Sequence, residues 1–119
     1  MAHSVLIVED DQSEALLYRE EFEDQGYDVR LACDADAALA AVREARPDVV
    51  VLDINMPGKD GLDLLGELMD IDRKLPVILN TAYSAYQDNY MSWSAAAYVV
   101  KSADVTELLQ TVRNVLAGS

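Results

Sequence analysis

Five short β-prone stretches, separated by segments of helical periodicity, constrain this chain more than any other feature. Val5–Val8, Val49–Leu52, Val77–Leu79 and Tyr98–Val100 are continuous apolar runs. A run of that length without alternation suits a strand covered on both faces. Asp28-Val29-Arg30-Leu31 alternates polar and apolar residues, as a strand does at the wetter edge of a sheet. Between the runs, Ala15, Tyr18 and Phe22 mark a helix ending near Gly26, and Asp34 or Asp36 caps a second over Ala37–Ala45, with Pro47 just beyond. Leu65, Leu68 and Met69 mark a third, closed before Pro76, and Ser84 to about Trp93 a weaker fourth. Asp104 caps a last helix in which Val105, Leu108, Leu109, Val112, Val115 and Leu116 recur at spacings of three and four, with Gly118 as its stop. Five βα units imply a doubly wound parallel α/β sheet with helices on both faces, in the flavodoxin-like order 2-1-3-4-5.

The chain of 119 residues suits one domain with a full core. Its 22 acidic against 9 basic residues give a net charge of −13. That balance argues against direct nucleic-acid binding and against docking on anionic lipid, and favours divalent cations and basic partner surfaces. No apolar run approaches the ~18 residues of a membrane span, and the N-terminus lacks a secretion signal, so a cytoplasmic location is expected. Cys33, the lone cysteine, is expected to be a small, reduced, half-buried hydrophobe.

The polar residues collect where such a sheet binds ligands, beyond the carboxyl ends of its strands. Glu9, Asp10 and Asp11 follow the first run, Asp53 ends the third, Asn80 and Thr81 follow the fourth, and Lys101 follows the fifth. Clustered carboxylates raise one another's pKa, and a hard divalent cation relieves them. Asp10 and Asp53 are the best direct Mg2+ ligands, with Glu9 a ligand directly or through water. Lys101 adds a point charge suited to a phosphoryl oxygen, and the Thr81 hydroxyl donates to another. An aspartate beside a metal, a lysine and a hydroxyl is equipped to accept a phosphoryl group. Asp53 is therefore read as the nucleophile.

The segments VLIVEDD, VVVLDINMPGKDGLDLL, VILNTA and YVVKS make the chain resemble a receiver domain of two-component response regulators over nearly its whole length. The resemblance implies one receiver domain over residues 1–119. It implies Mg2+ (with Mn2+ as a substitute) on Asp10, Asp53 and the backbone carbonyl of Asn55, with Glu9 assisting. It further implies phosphoryl transfer to Asp53 from a histidine kinase or histidine phosphotransfer protein. Thr81 would then move toward the phosphoryl group while Tyr98 swings inward. That movement alters the face of the fourth helix, fifth strand and fifth helix, which a downstream partner reads. Such a domain is no conventional enzyme, catalysing only its own phosphorylation and dephosphorylation, and it is expected as a monomer or weak dimer. The alternatives are a receiver-like interaction scaffold that works without phosphate, and the N-terminal receiver of a longer DNA-binding regulator.

The chain departs from the family's pattern at several positions. Ser102 stands where a proline usually follows the lysine; a cis bond before a non-proline costs ~2.5–4 kcal/mol, so a trans Lys101–Ser102 peptide is expected. Ala97, preceded by Ala95 and Ala96, replaces the acidic residue often found before the switch aromatic, and Asp104–Leu116 holds few basic residues, so the dimer that some members form through charged fourth helix–fifth strand–fifth helix faces is not expected. Tyr83 borders the acceptor and would shield it from water, giving slow loss of phosphate. Tyr83, Tyr86, Tyr90 and Trp93 form a stripe that fits either core or partner docking, and Met56 fits either turn packing or an exposed contact beside the site. Asp11 is read as a helix cap, Asp60-Gly61 as a turn, and His3 as an exposed tail residue.

Overall fold

The computed structural model describes residues 2–53, 61–82, 95–101 and 104–118. The chain runs β1 (Ser4–Val8), α1 (Gln12–Asp24), β2 (Asp28–Ala32), α2 (Ala35–Glu44), β3 (Val49–Leu52), α3 (Gly61–Ile71), β4 (Val77–Thr81), β5 (Ala97–Val100) and α4 (Thr106–Ala117). The helix expected near 84–93, Asn55, Met56, Tyr83, Tyr86, Tyr90, Trp93 and the Lys101–Ser102 peptide lie outside the described residues, so α4 is the terminal helix of the sequence reading.

The five strands are parallel in the order β2-β1-β3-β4-β5, as the alternation of elements predicts. The register places Val5 beside Val29 and Val49, Val50 beside Val77, and Leu79 beside Tyr98. Successive side chains of a strand point to opposite faces, and two cores result. Leu6, Val8, Val50, Leu52 and Leu79 face α2 and α3, packing with Ala38, Val42, Leu65 and Leu68. Val5, Ile7, Val49, Val51, Ile78 and Val99 face α1 and α4, packing with Tyr18, Phe22, Leu108 and Val112. Both faces being covered is why β1, β3 and β4 read as unbroken apolar runs. The edge strand β2 is mostly half-buried, which accounts for its alternation.

Local chemistry sets the helix ends. Asp11 and Asp34 cap α1 and α2, their carboxylates accepting from the N–H groups of Glu14 and Ala37 at 3.1 and 2.8 Å. Gly26, at φ +91°, ends α1 in the left-handed region, and the Gly26 and Tyr27 N–H groups bond back to Glu23 and Phe22. Gly118 closes α4 with a bond to the Asn114 carbonyl. Three expectations are corrected. Asp104 is not the N-cap of α4; its carboxylate accepts from the Thr106 N–H and hydroxyl one residue earlier than a cap would, and Val105 takes the cap position. Gly61 is the first residue of α3 rather than part of a turn. Cys33 is exposed, because β2 ends at Ala32 and the thiol stands in the loop before Asp34.

At the opposite end of the sheet, Asp48 accepts from the Ser4 N–H at 2.7 Å, with the exposed His3 ring 3.5 Å from the same carboxylate. Arg46 pairs with Asp72, linking the ends of α2 and α3 and holding the Asp72 carboxyl below its ordinary range. Among the described residues, no helix is long and apolar enough to cross a membrane.

Phe22 is wholly buried, with its ring 5.7 Å from that of Tyr27, whereas Leu16 on the same helix is 58% exposed. Phe22→Ala is therefore expected to cost about 3–5 kcal/mol by equilibrium denaturation, and Leu16→Ala less than about 0.5 kcal/mol.

Candidate functional site

Backbone pairing carries the polar residues to one rim. The Glu9 N–H donates to the Ala32 carbonyl at 3.0 Å, the Asp53 N–H to Val8 at 3.0 Å and the Lys101 N–H to Thr81 at 2.7 Å. Each interaction continues the sheet one step past a strand end. Glu9, Asp53 and Thr81, far apart in sequence, thus become neighbours at the carboxyl edge, with Lys101 beyond β5.

Lys101 is the hub. Its Nζ donates to Glu9 Oε2 at 2.7 Å, Glu14 Oε2 at 3.1 Å and Asp53 Oδ2 at 3.1 Å. Glu9 and Asp53 are 3% and 5% exposed, and burying them is tolerable because this ammonium faces both. Glu9 also accepts from the Asp11 N–H at 3.2 Å. Burial drives the Glu9 carboxyl up to about 7, against the Lys101 hydrogen bond and reinforced by the Asp53 charge. Burial alone would lower the Lys101 ammonium, but Glu9, Asp53 and Glu14 outweigh it and hold Lys101 firmly protonated.

The donor set suits a hard cation. One carboxylate oxygen each from Glu9, Asp10 and Asp53 lies within 4.8 Å of the others, with Asp10 the most open of the three. Three oxygens so spaced leave coordination positions for water or phosphoryl oxygens, which is how Mg2+ is held. The upward shift of Glu9 comes chiefly from its burial, and a bound cation would offset it by favouring the ionised carboxylate. The residues present therefore fit a divalent ion, and Mn2+ takes the same ligand type.

Thr81 is fully buried at the end of β4. It shares the face of Leu79, where half-buried Tyr98 packs against the same core. The two residues read as a switch pair therefore stand on one side of the sheet. Asn80, on the other face, bonds the hydroxyl of buried Tyr18, whose pKa is raised by burial.

Glu9, Asp10, Asp53, Thr81 and Lys101 are brought together as the sequence predicts; Asn55, Met56 and Tyr83 lie outside the described residues. Sequence reasoning missed Glu14, the third acid on Lys101. Its signal was its place four residues before the buried Tyr18, on the inward side of α1.

Comparison with known proteins agrees with this geometry. The response regulator receiver domain family matches residues 5–113. The probable transcriptional regulatory protein TcrX of Mycobacterium tuberculosis is 36% identical over 115 residues, covering 95% of this chain and 49% of TcrX. Sporulation initiation phosphotransferase F of Bacillus subtilis is 32% identical over 118 residues, 98% of this chain and 95% of that protein. The chain thus spans about half of one relative and nearly all of the other. Among solved structures, the response regulator TrrA of Thermotoga maritima, in complex with Mg2+-BeF, superposes with a TM-score of 0.92 at 36% identity, covering 97% of this chain and 99% of TrrA. TrrA bound to the histidine kinase ThkA superposes at 0.90, with 37% identity over 98% of this chain and 99% of TrrA.

A pH dependence follows from Glu9. Its carboxyl is raised from 4.5 to about 7 in the folded state, so below about 7 an incoming cation must displace its proton. The gain in Tm on adding Mg2+ is expected to be larger at pH 8 than at pH 5.5. Without metal, the ionisation of Glu9 acts against stability as pH rises between about 4.5 and 7. Scanning calorimetry with Mg2+ and with a chelator, at both pH values, reads both effects.

Proposed function

The chain belongs to the response regulator receiver domain family, a signalling module of two-component systems, and we propose that it accepts a phosphoryl group on Asp53. The observation that carries this reading is the position of the buried Asp53 carboxylate, 3.1 Å from Lys101 Nζ and within the Glu9–Asp10 cluster. An Asp53 oxygen attacks the phosphorus of a phosphohistidine. A P–O bond forms as the P–N bond breaks, and the imidazole leaves, neutral once it has taken up a proton. Lys101 Nζ donates to one phosphoryl oxygen and the Thr81 hydroxyl to another, stabilising the charge that spreads over them. Mg2+, held by Glu9, Asp10 and Asp53 together with the Asn55 carbonyl, would neutralise further phosphoryl charge and offset repulsion between the acids and the incoming anion. Hydrolysis of the acyl phosphate restores Asp53. The same groups serve both half-reactions, so the domain acts only on itself.

The donor is a histidine kinase or a histidine phosphotransfer protein, a reading supported by the complex of TrrA with ThkA. It must reach Asp53 from the carboxyl rim. Beside Glu9 there, Ala15, Leu16, Leu31 and Cys33 line an open groove of about 360 Å³, and Leu17 adds a second exposed leucine on α1. Apolar residues at the mouth of an acidic site suit the docking of a donor helix. The downstream partner reads the far side, where Thr81 and Tyr98 respond to phosphorylation and alter the surface around β5 and α4.

With Mg2+ and acetyl phosphate, intact mass is expected to show one added phosphate on the wild type and none on Asp53→Ala. An adduct on Asp53→Ala would move the acceptor elsewhere. Leu16→Glu is expected to slow transfer from the cognate kinase about tenfold or more while leaving the acetyl phosphate rate unchanged, because it removes docking and spares the chemistry. Equal loss in both assays would place Leu16 in the site's integrity instead.

A further inference from the structure

Lys101 has more partners than phosphoryl recognition requires. An ammonium carries three N–H donors, and three carboxylates among the described residues accept from it. A phosphoryl oxygen that recruits Lys101 must displace one of them. Glu9 and Asp53 are buried, where little water can take the place of the ammonium, so releasing either is costly. Glu14 differs, with 41% of its side chain exposed, so water can take over its carboxylate at little cost. Its place is fixed by the first turn of α1, whose cap Asp11 accepts from the Glu14 N–H.

We infer that Glu14 is a positioning residue, an internal stand-in for the phosphoryl group that holds Lys101 through an ion pair designed to be exchanged. In the resting domain Glu14 draws the ammonium toward α1 and so shares it away from Glu9 and Asp53, leaving those acids more available to a cation. When a phosphoryl group arrives, Lys101 turns from Glu14 to it. The pair therefore weakens anion binding and favours metal binding, two opposite effects from one contact. This inference rests on the receiver reading of the site.

The test is a comparison of wild type, Glu14→Gln and Glu20→Gln, the last removing one exposed acid elsewhere on α1. Two affinities are read from backbone amide shifts: Mg2+ alone, and beryllofluoride at saturating Mg2+. Glu14→Gln is expected to bind beryllofluoride about two- to fivefold more tightly and Mg2+ about two- to fivefold more weakly, the range an exposed ion pair supplies. Glu20→Gln is expected to match the wild type in both. In a Lys101→Met background, Glu14→Gln is expected to lose most of its effect on Mg2+, since the effect passes through the lysine. Glu14→Gln affinities equal to wild type, or a shift that persists in Lys101→Met, would overturn the inference while leaving the receiver reading intact. A wild type that binds neither Mg2+ nor beryllofluoride would overturn both. The amide spectrum of each variant reports its fold, and Glu14→Asp, which keeps the charge but shortens the reach to Lys101, is expected to move both affinities in the same directions as Glu14→Gln.

Discussion

The ammonium of Lys101, set between the buried carboxylates of Glu9 and Asp53, is the interaction on which the site depends. Two acids at the ends of β1 and β3 would repel each other in surroundings with little water to screen them. One cation from beyond β5 binds both and ties three strands together at their carboxyl edge. Glu9 nevertheless stays pushed up to about 7, chiefly because it is buried. Glu9, Asp10 and Asp53, with carboxylate oxygens within 4.8 Å of one another, form a donor set that fits a divalent ion.

That arrangement is possible because the sheet is covered on both sides. Leu6, Val8, Leu52 and Leu79 fill one core and Val5, Ile7, Val51 and Ile78 the other, so the middle of each strand has no room for an unpaired polar group. Polar residues are admitted only where the strands end. Alternation then sorts them: Thr81 and Tyr98 stand toward α2 and α3, while Asn80 stands toward α1, which also supplies Glu14. The same pleat that builds two cores thus sets Thr81 and Tyr98 on one face of the sheet and Asn80 and Glu14 on the other.

Most of this was legible in the residues. The unbroken apolar runs identified the interior strands, and the alternation in Asp28–Leu31 identified the edge, because burial on one face or two leaves different patterns. Asp11 and Asp34 were readable as caps because capping is local. The failures were also local in cause. The residue type of Cys33 suggests half-burial, but burial depends on where β2 stops. Asp104 has the residue type of a cap, yet its carboxylate serves the Thr106 N–H from one position too early. A glycine after an aspartate suggests a turn, yet α3 begins at Gly61, and Asp60 lies outside the described residues.

The sequence by itself determined the order of elements, the topology of the sheet and the acids, hydroxyl and lysine that meet at its rim, because each follows from periodicity within a segment and from the rule that ligands gather at strand ends. Only the tertiary structure decided how the charges are shared. Glu14 lies 87 residues from Lys101 in the chain, and its spacing from Tyr18 places it on the inward side of α1 without naming the lysine as its partner. Their meeting depends on how the Lys101 side chain reaches from beyond β5 to the first turn of α1, a matter of packing between distant elements that no local pattern encodes.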